Sequence, residues 1–145
     1  MYNKLSEYDV IAFSCYIWNI EIVKKLIEML NDKILILGGP EVSYNAKTYL
    51  ECGVSYVIKN EGEEAFDMLL KYLDNKCAIE DVPNLYHKNG FTFDKLVDLN
   101  KTKMAYDLLD DIQNKIVYLE TSRGCPYKCA YCMASLDNKL RFFNI

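Results

Sequence analysis

YDVIAFSC, Tyr8–Cys15, is a short and almost wholly apolar run. Two more runs of the same kind follow, ILIL at 34–37 and VSYVI at 54–58. All three are too short for an ordinary helix and too continuously apolar for a strand with one wet face. Between the first two, Ile22, Val23, Leu26, Ile27 and Leu30 recur at helical spacing behind Asn19, a residue type that caps helices. Gly38-Gly39-Pro40 ends the second run, and Ser43 offers a cap for a helix carrying Tyr44, Lys47, Tyr49 and Leu50. Gly53 stands where a helix-ending glycine belongs. After the third run a helix opens near Gly62, with Glu61, Glu63 and Glu64 around its positive end. Ala65, Phe66, Leu69, Leu70 and Leu73 supply its apolar side, and Asp67 and Lys71 a favourably oriented pair. The order β-α-β-α-β-α with doubly buried strands predicts an α/β, three-layer parallel sheet with helices on both faces. Three strands make a small sheet, so a further βα unit is expected on its N-terminal side.

Beyond residue 83 the pattern changes. NLYHKNGFTF, residues 84–93, sets Asn89-Gly90 between two apolar-aromatic runs, which predicts a hairpin with a type I′ turn. Residues 94–115 hold no regular pattern; Asp107-Leu108-Leu109-Asp110-Asp111 and Asn114 suggest a linker or one irregular turn. IVYLE, residues 116–120, reads as a last strand leading into a cysteine cluster. Charge shifts at the same place: residues 1–100 carry a net −6 and residues 101–145 a net +2. The expected division is therefore an α/β domain at 1–100 and a linker with the start of a second domain at 101–145.

Composition narrows the function classes. With 51% apolar and 26% charged residues the chain can bury a core, which excludes global disorder. A net charge of −4 argues against nucleic-acid binding. No apolar run is long enough to span a membrane, and the first residues carry no apolar secretory segment. Six cysteines without a secretion signal point to thiols in a reducing, cytoplasmic setting rather than to a disulfide framework. Three are scattered: Cys15, Cys52 and Cys77 read as small buried hydrophobes.

The other three are not scattered. Thr121-Ser122-Arg123-Gly124-Cys125-Pro126-Tyr127-Lys128-Cys129-Ala130-Tyr131-Cys132 spaces its thiols as C-x3-C-x2-C. One short loop can turn three such sulfurs toward a single metal centre. Structural zinc takes four ligands and favours two separated pairs. No second pair exists here, and the one histidine, His87, falls in the hairpin. Three thiolates suit a [4Fe–4S] cube in which one iron keeps an open position.

That segment resembles the radical S-adenosylmethionine (SAM) superfamily, whose C-x3-C-x-aromatic-C signature is matched with Tyr131 at the aromatic position. The preceding IVYLE and the RGCPYKCAYC wording are similar to the first strand and cluster loop of that family's TIM-like barrel. The resemblance implies that Cys125, Cys129 and Cys132 ligate a [4Fe–4S] cluster and that Tyr131 lies near the adenine of SAM. It implies reductive cleavage of SAM to a 5′-deoxyadenosyl radical, with a reductant such as flavodoxin or ferredoxin as partner.

Upstream, the strand–helix units resemble the cobalamin-binding domain of B12-dependent radical SAM proteins, a flavodoxin-like (Rossmann-type) fold. The matching signals are Ser14 after one strand, Gly38-Gly39 after the next, and the EGEE run at 61–64. Ligands of such sheets sit at the carboxyl ends of the strands, where glycines let backbone approach a flat ligand. Ser14, Gly38 and Gly39 are thereby the implied cobalamin contacts; Trp18, just past a strand's carboxyl end, reads as a core residue, with flanking a ligand as the alternative. The Asp-x-His-x-x-Gly cobalt-ligating motif of methionine-synthase-type domains is absent, and His87, in a hairpin, does not replace it. The resemblance implies an enzyme of the magnesium-protoporphyrin IX monomethyl ester cyclase-like or methyltransferase group, of which this chain is a piece inactive alone, with a truncated barrel. The competing expectation is a non-catalytic α/β ligand-binding module with a structural cysteine metal site. A third, phosphate-binding reading lacks any G-x-G-x-x-G or Walker pattern.

Overall fold

The computed structural model describes residues 2–102, 114–136 and 139–144. The chain divides into two compact units, Met1–Leu96 and Val97–Ile145. In the first, a short helix α1 (Tyr2–Leu5) precedes β1 (Val10–Ser14), α2 (Ile20–Met29), β2 (Ile34–Gly38), α3 (Ala46–Glu51), β3 (Tyr56–Ile58), α4 (Glu63–Leu73), β4 (Leu85–His87) and β5 (Gly90–Phe91).

The three apolar runs are parallel neighbours. Val10 to Ser14 pair with Ile34 to Gly38, and Ile36 and Leu37 with Tyr56 and Val57. Side chains of successive strand residues point to opposite faces, and both faces are filled. Ile11, Leu35, Leu37 and Val57 pack with Val23, Ile27 and Ala46 of α2 and α3. Ile36, Ile58 and Leu85 pack with Ala65 and Leu69 of α4. Helices on both faces are thus observed. β1 departs from the expectation of double burial, because Ala12 and Ser14 on its α4-side face are exposed.

The hairpin does not stand apart from the sheet. β4 adds antiparallel to β3, and β5 to β4, so five strands lie in the order β1-β2-β3-β4-β5. A purely parallel sheet is therefore corrected to a mixed one. His87 pairs with Gly90, which leaves Lys88-Asn89 as the loop. Gly90 takes φ +137°, but Asn89 does not take a positive φ, so the type I′ turn expected at Asn89-Gly90 does not form.

Helix ends follow local chemistry in part. Gly53 (φ +94°) ends α3 in a Schellman motif: its N–H donates to Leu50 O at 3.1 Å, and that of Val54 to Tyr49 O at 3.2 Å. Asn75 (φ +59°) does the same for α4, with Lys76 N–H donating to Lys71 O at 2.8 Å. Ser43 does not cap α3, which starts later, at Ala46. Ile22 points to water, and so does part of Phe66 and Leu70, while Ile20 joins the core instead. The Asp67–Lys71 pair forms at 2.7 Å.

In the second unit a 3-10 turn, Leu99–Lys101, is capped by the Asp98 carboxylate, which accepts from Asn100 N–H at 3.1 Å. Half of the expected linker, residues 103–113, lies outside the described residues. Residues 116–120 form no ladder; pairing appears at β6 (Ser122–Arg123), antiparallel to β7 (Arg141–Phe142). Apolar character alone does not make a strand, which exists through the hydrogen bonds of a neighbour. No helix of the described residues is long and apolar enough to cross a membrane.

Candidate functional site

The carboxyl ends of β1, β2 and β3 bring three loops side by side. Ser14 and Gly38 are register partners, and the next residue, Cys15, donates its N–H to Gly38 O at 2.7 Å. Gly39 (φ +104°) lies directly against this turn: a Cβ there would stand 2.6 Å from Cys15 O and 3.0 Å from Cys15 N. Its lack of a side chain is thus needed by the β1 turn itself. Gly38 is less constrained, since a Cβ would meet Ile58 Cβ at an ordinary 4.0 Å.

Cys15 is fully buried beneath this crossing. Burial pushes its thiol up to about 11, with Gly38 pulling slightly the other way and Glu41 adding to the rise. The thiol is therefore neutral at physiological pH, and it lies toward the Phe13 carbonyl at 3.6 Å. It is a packed residue, as expected of it, and is unsuited to ligate a metal. Cys52, read as buried too, is exposed at the end of α3, and Cys77 is half-buried.

Asn19 holds the first loop in shape. Its amide donates to Ser14 O at 2.8 Å and accepts from Tyr16 N–H at 2.8 Å, in place of capping α2. The loop thereby presents Tyr16 and Trp18 as a stacked pair, centroids 4.6 Å apart and planes 6° from parallel. Trp18 is 75% exposed and Ile17 77%. An indole held flat at a strand end and left in water is an exposed apolar shelf. Ser14 is exposed beside it. Polar side chain, stacked aromatics and a close backbone crossing fit the edge of a large, flat, partly apolar cofactor.

His87 has no part in this arrangement. It sits opposite Tyr56, the first residue of β3, and so at the other end of that strand from the three loops. There it lines a groove of about 570 Å³ with Lys47, Leu50, Tyr86 and Phe91. The sequence reading missed Asn19, Ser43 and Asn84 as shapers of these loops; Asn19 binds backbone three and five residues away, while Ser43 and Asn84 also reach backbone groups 11 to 23 residues away.

The cysteine loop belongs to the second unit. β6 and β7 close its base, and Phe143 N–H donates to Thr121 O at 3.1 Å. Gly124 (φ +86°) is obligatory there, because a Cβ would run into the Lys139 carbonyl. Arg123 makes a two-pronged ion pair with Glu120, both contacts at 3.0 Å, and lies over the Phe143 ring. Cys125 and Cys129 are half-buried and Cys132 exposed. Cys132 N–H donates to Cys129 O at 3.1 Å and leads into a 3-10 turn, Met133–Leu136. Tyr131 is 93% exposed. None of the six thiols is in a disulfide. Among the described residues no three Cys, His, Asp or Glu side chains converge in a metal-binding geometry. The donor set suits an iron–sulfur centre by its chemistry: three thiols on one short loop, without histidine or carboxylate among them.

Comparison with known proteins gives the likeness: residues 3–70 match the family described as B12 binding domain. Along most of its length the chain also resembles the B12-binding-domain-containing radical SAM proteins. It is 27% identical over 91% of its length to the cobalamin-dependent radical SAM methyltransferase TokK of Streptomyces tokunonensis, covering 23% of that protein. It is 31% identical over 87% of its length to hopanoid C-3 methylase of Methylococcus capsulatus, covering 28% of it. The solved structure of the cobalamin-dependent SAM radical enzyme OxsB with aqua-cobalamin bound superposes on 99% of this chain, with a TM-score of 0.75 and 20% identity. The chain covers 23% of that structure, a likeness of fold. It spans about a quarter of the length of these relatives.

Proposed function

We propose that the chain forms the cobalamin-binding domain, followed by the cluster loop of the radical SAM domain, of a cobalamin-dependent radical SAM enzyme of the methyltransferase or cyclase-like group. What carries this reading is one polypeptide in which a B12-type sheet edge is followed by the C-x3-C-x2-C loop. Ser14, the Gly38-Gly39 turn and the Tyr16–Trp18 shelf, at the carboxyl ends of β1 and β2, would hold cobalamin. His87, at the other end of β3, and the buried, neutral Cys15 thiol would take no part in holding it.

Cys125, Cys129 and Cys132 hold the cluster, Tyr131 flanks the nucleotide of SAM, and the closed base of β6 and β7 fixes where the thiols emerge. When bound, the cluster supplies the electron that cleaves SAM reductively. An external reductant such as flavodoxin or ferredoxin recharges it, and the setting is cytoplasmic. Because the chain spans about a quarter of its relatives' length, this polypeptide by itself binds cofactors but does not turn over.

Two measurements test the reading. Titration with hydroxocobalamin should shift the corrin absorption bands to saturation at one equivalent. Anaerobic reconstitution with iron and sulfide should load about four irons per chain, and replacing Cys125, Cys129 or Cys132 by Ala should abolish loading. Zinc bound in place of iron, or iron uptake unaffected by those substitutions, would reject the cluster; abundant 5′-deoxyadenosine from this chain alone would reject its inactivity.

A further inference from the structure

The buried polar side chains recorded among the described residues are Ser43, 4% exposed, and Asn84, 2% exposed. They come from different parts of the first unit and close on one loop. The Ser43 hydroxyl donates to Gly39 O at 2.9 Å and accepts from Asn60 N–H at 3.1 Å. The Asn84 amide donates to Glu61 O at 3.2 Å and to Lys95 O at 2.7 Å, and its oxygen accepts from Lys95 N–H at 2.8 Å. The Asn84 backbone carbonyl accepts from Lys59 N–H at 2.8 Å. The loop they hold, 59–62, joins β3 to α4 and opens the EGEE run, which nothing above explains.

Burying a hydroxyl and an amide is unfavourable unless each is fully paired, and a paired network then imposes one conformation. A surface turn needs no such device. Here the network fixes Asn60 in the left-handed region, φ +58°, and Asn84 itself at φ +56°. Through Ser43 it also ties this loop to the Gly39 carbonyl, and so to the crossing over Cys15. A third loop at the carboxyl edge is thereby locked to the second before any ligand arrives, which lowers the ordering cost of binding.

We infer that residues 59–62 form a third wall of the cobalamin site, and that Ser43 and Asn84 are positioning residues which set cofactor affinity without touching the cofactor. This inference rests on the cobalamin reading proposed above.

The experiment uses the whole 145-residue chain and hydroxocobalamin. Ser43→Ala removes the hydroxyl, Ser43→Thr restores it, and Asn84→Gly removes the amide while tolerating the positive φ. Thermal melting and hydrogen exchange at the Asn60 amide are recorded beside the cobalamin titration. Expected are cooperative melts, faster Asn60 exchange in Ser43→Ala, and cobalamin binding weaker by about tenfold in Ser43→Ala and Asn84→Gly. Ser43→Thr should recover most of the affinity. Unchanged affinity in Ser43→Ala, or a Thr variant as weak as the Ala variant, overturns the inference. If Asn84→Gly does not fold, the two Ser43 variants decide. Absence of any corrin shift in the unsubstituted chain fails the cobalamin reading first, and this inference with it; normal binding there with unaffected variants fails this inference alone.

Discussion

Gly39 shows how much a single hydrogen in place of a methyl can settle. Its positive φ and the carbonyl 2.6 Å from a would-be Cβ belong to backbone, which has nowhere to yield. The glycine pair was read from the sequence as an approach for a flat ligand; the structure shows that at Gly39 the first approach is internal, between β2 and the turn after β1. Gly39→Ala should destabilise the chain by about 2–4 kcal/mol, read from the urea midpoint with unchanged slope. A loss within about 0.5 kcal/mol would mean that the two loops separate easily. Ser14 and Trp18 are the opposite kind of residue. Both are exposed, so their removal leaves the core packing in place.

α3 is the element least able to stand alone. It has six residues, far below the length at which an isolated helix persists in water. Ala46 and Tyr49 anchor it to the core, and the Schellman turn at Gly53 ends it. Gly53 differs from Gly39 in one respect: a Cβ there would meet nothing within 4 Å. Gly53→Ala therefore carries the conformational penalty alone, about 1 kcal/mol, clearly smaller than that of Gly39→Ala in the same urea titration. Equal losses at the two sites would contradict the assignment of steric contact to Gly39. The hairpin teaches a related lesson. Asn89-Gly90 signalled a turn correctly, yet the ladder through His87 and Gly90 set the register one residue away from the expected loop.

For the molecule as a whole, the proposed function places its two cofactors on the two units, Met1–Leu96 and Val97–Ile145. Ligand that binds the native state alone stabilises it by about 2.7 kcal/mol at one hundred times its dissociation constant. Hydroxocobalamin at that excess should raise the unfolding midpoint of the first unit. The combined Cys125→Ala, Cys129→Ala and Cys132→Ala variant should show the same rise, because Ser14, Gly38 and Gly39 lie in Met1–Leu96 and the three cysteines in Val97–Ile145. A cobalamin effect lost in that variant would show that the corrin site draws on the cysteine loop.

Sequence alone determined the α/β class, the positions of the first three strands and three of the helices, the glycine at the end of α3, and the thiol spacing. Each of these is written in local periodicity or in the chemistry of one short segment. Ser14 and Gly38-Gly39 fall together at one edge of the sheet for the same reason: strand ends are legible where apolar runs stop. Tertiary structure alone decided that the hairpin extends the sheet, that IVYLE forms no ladder of its own, that Asn19 and Ser43 bind loops instead of capping helices, and that Ser43 and Asn84 meet on one turn. Apart from Asn19, whose partners lie three and five residues away, those outcomes depend on hydrogen-bond partners far apart along the chain, and which distant backbone group a side chain will find is settled by how the strands stack, not by its neighbours in sequence.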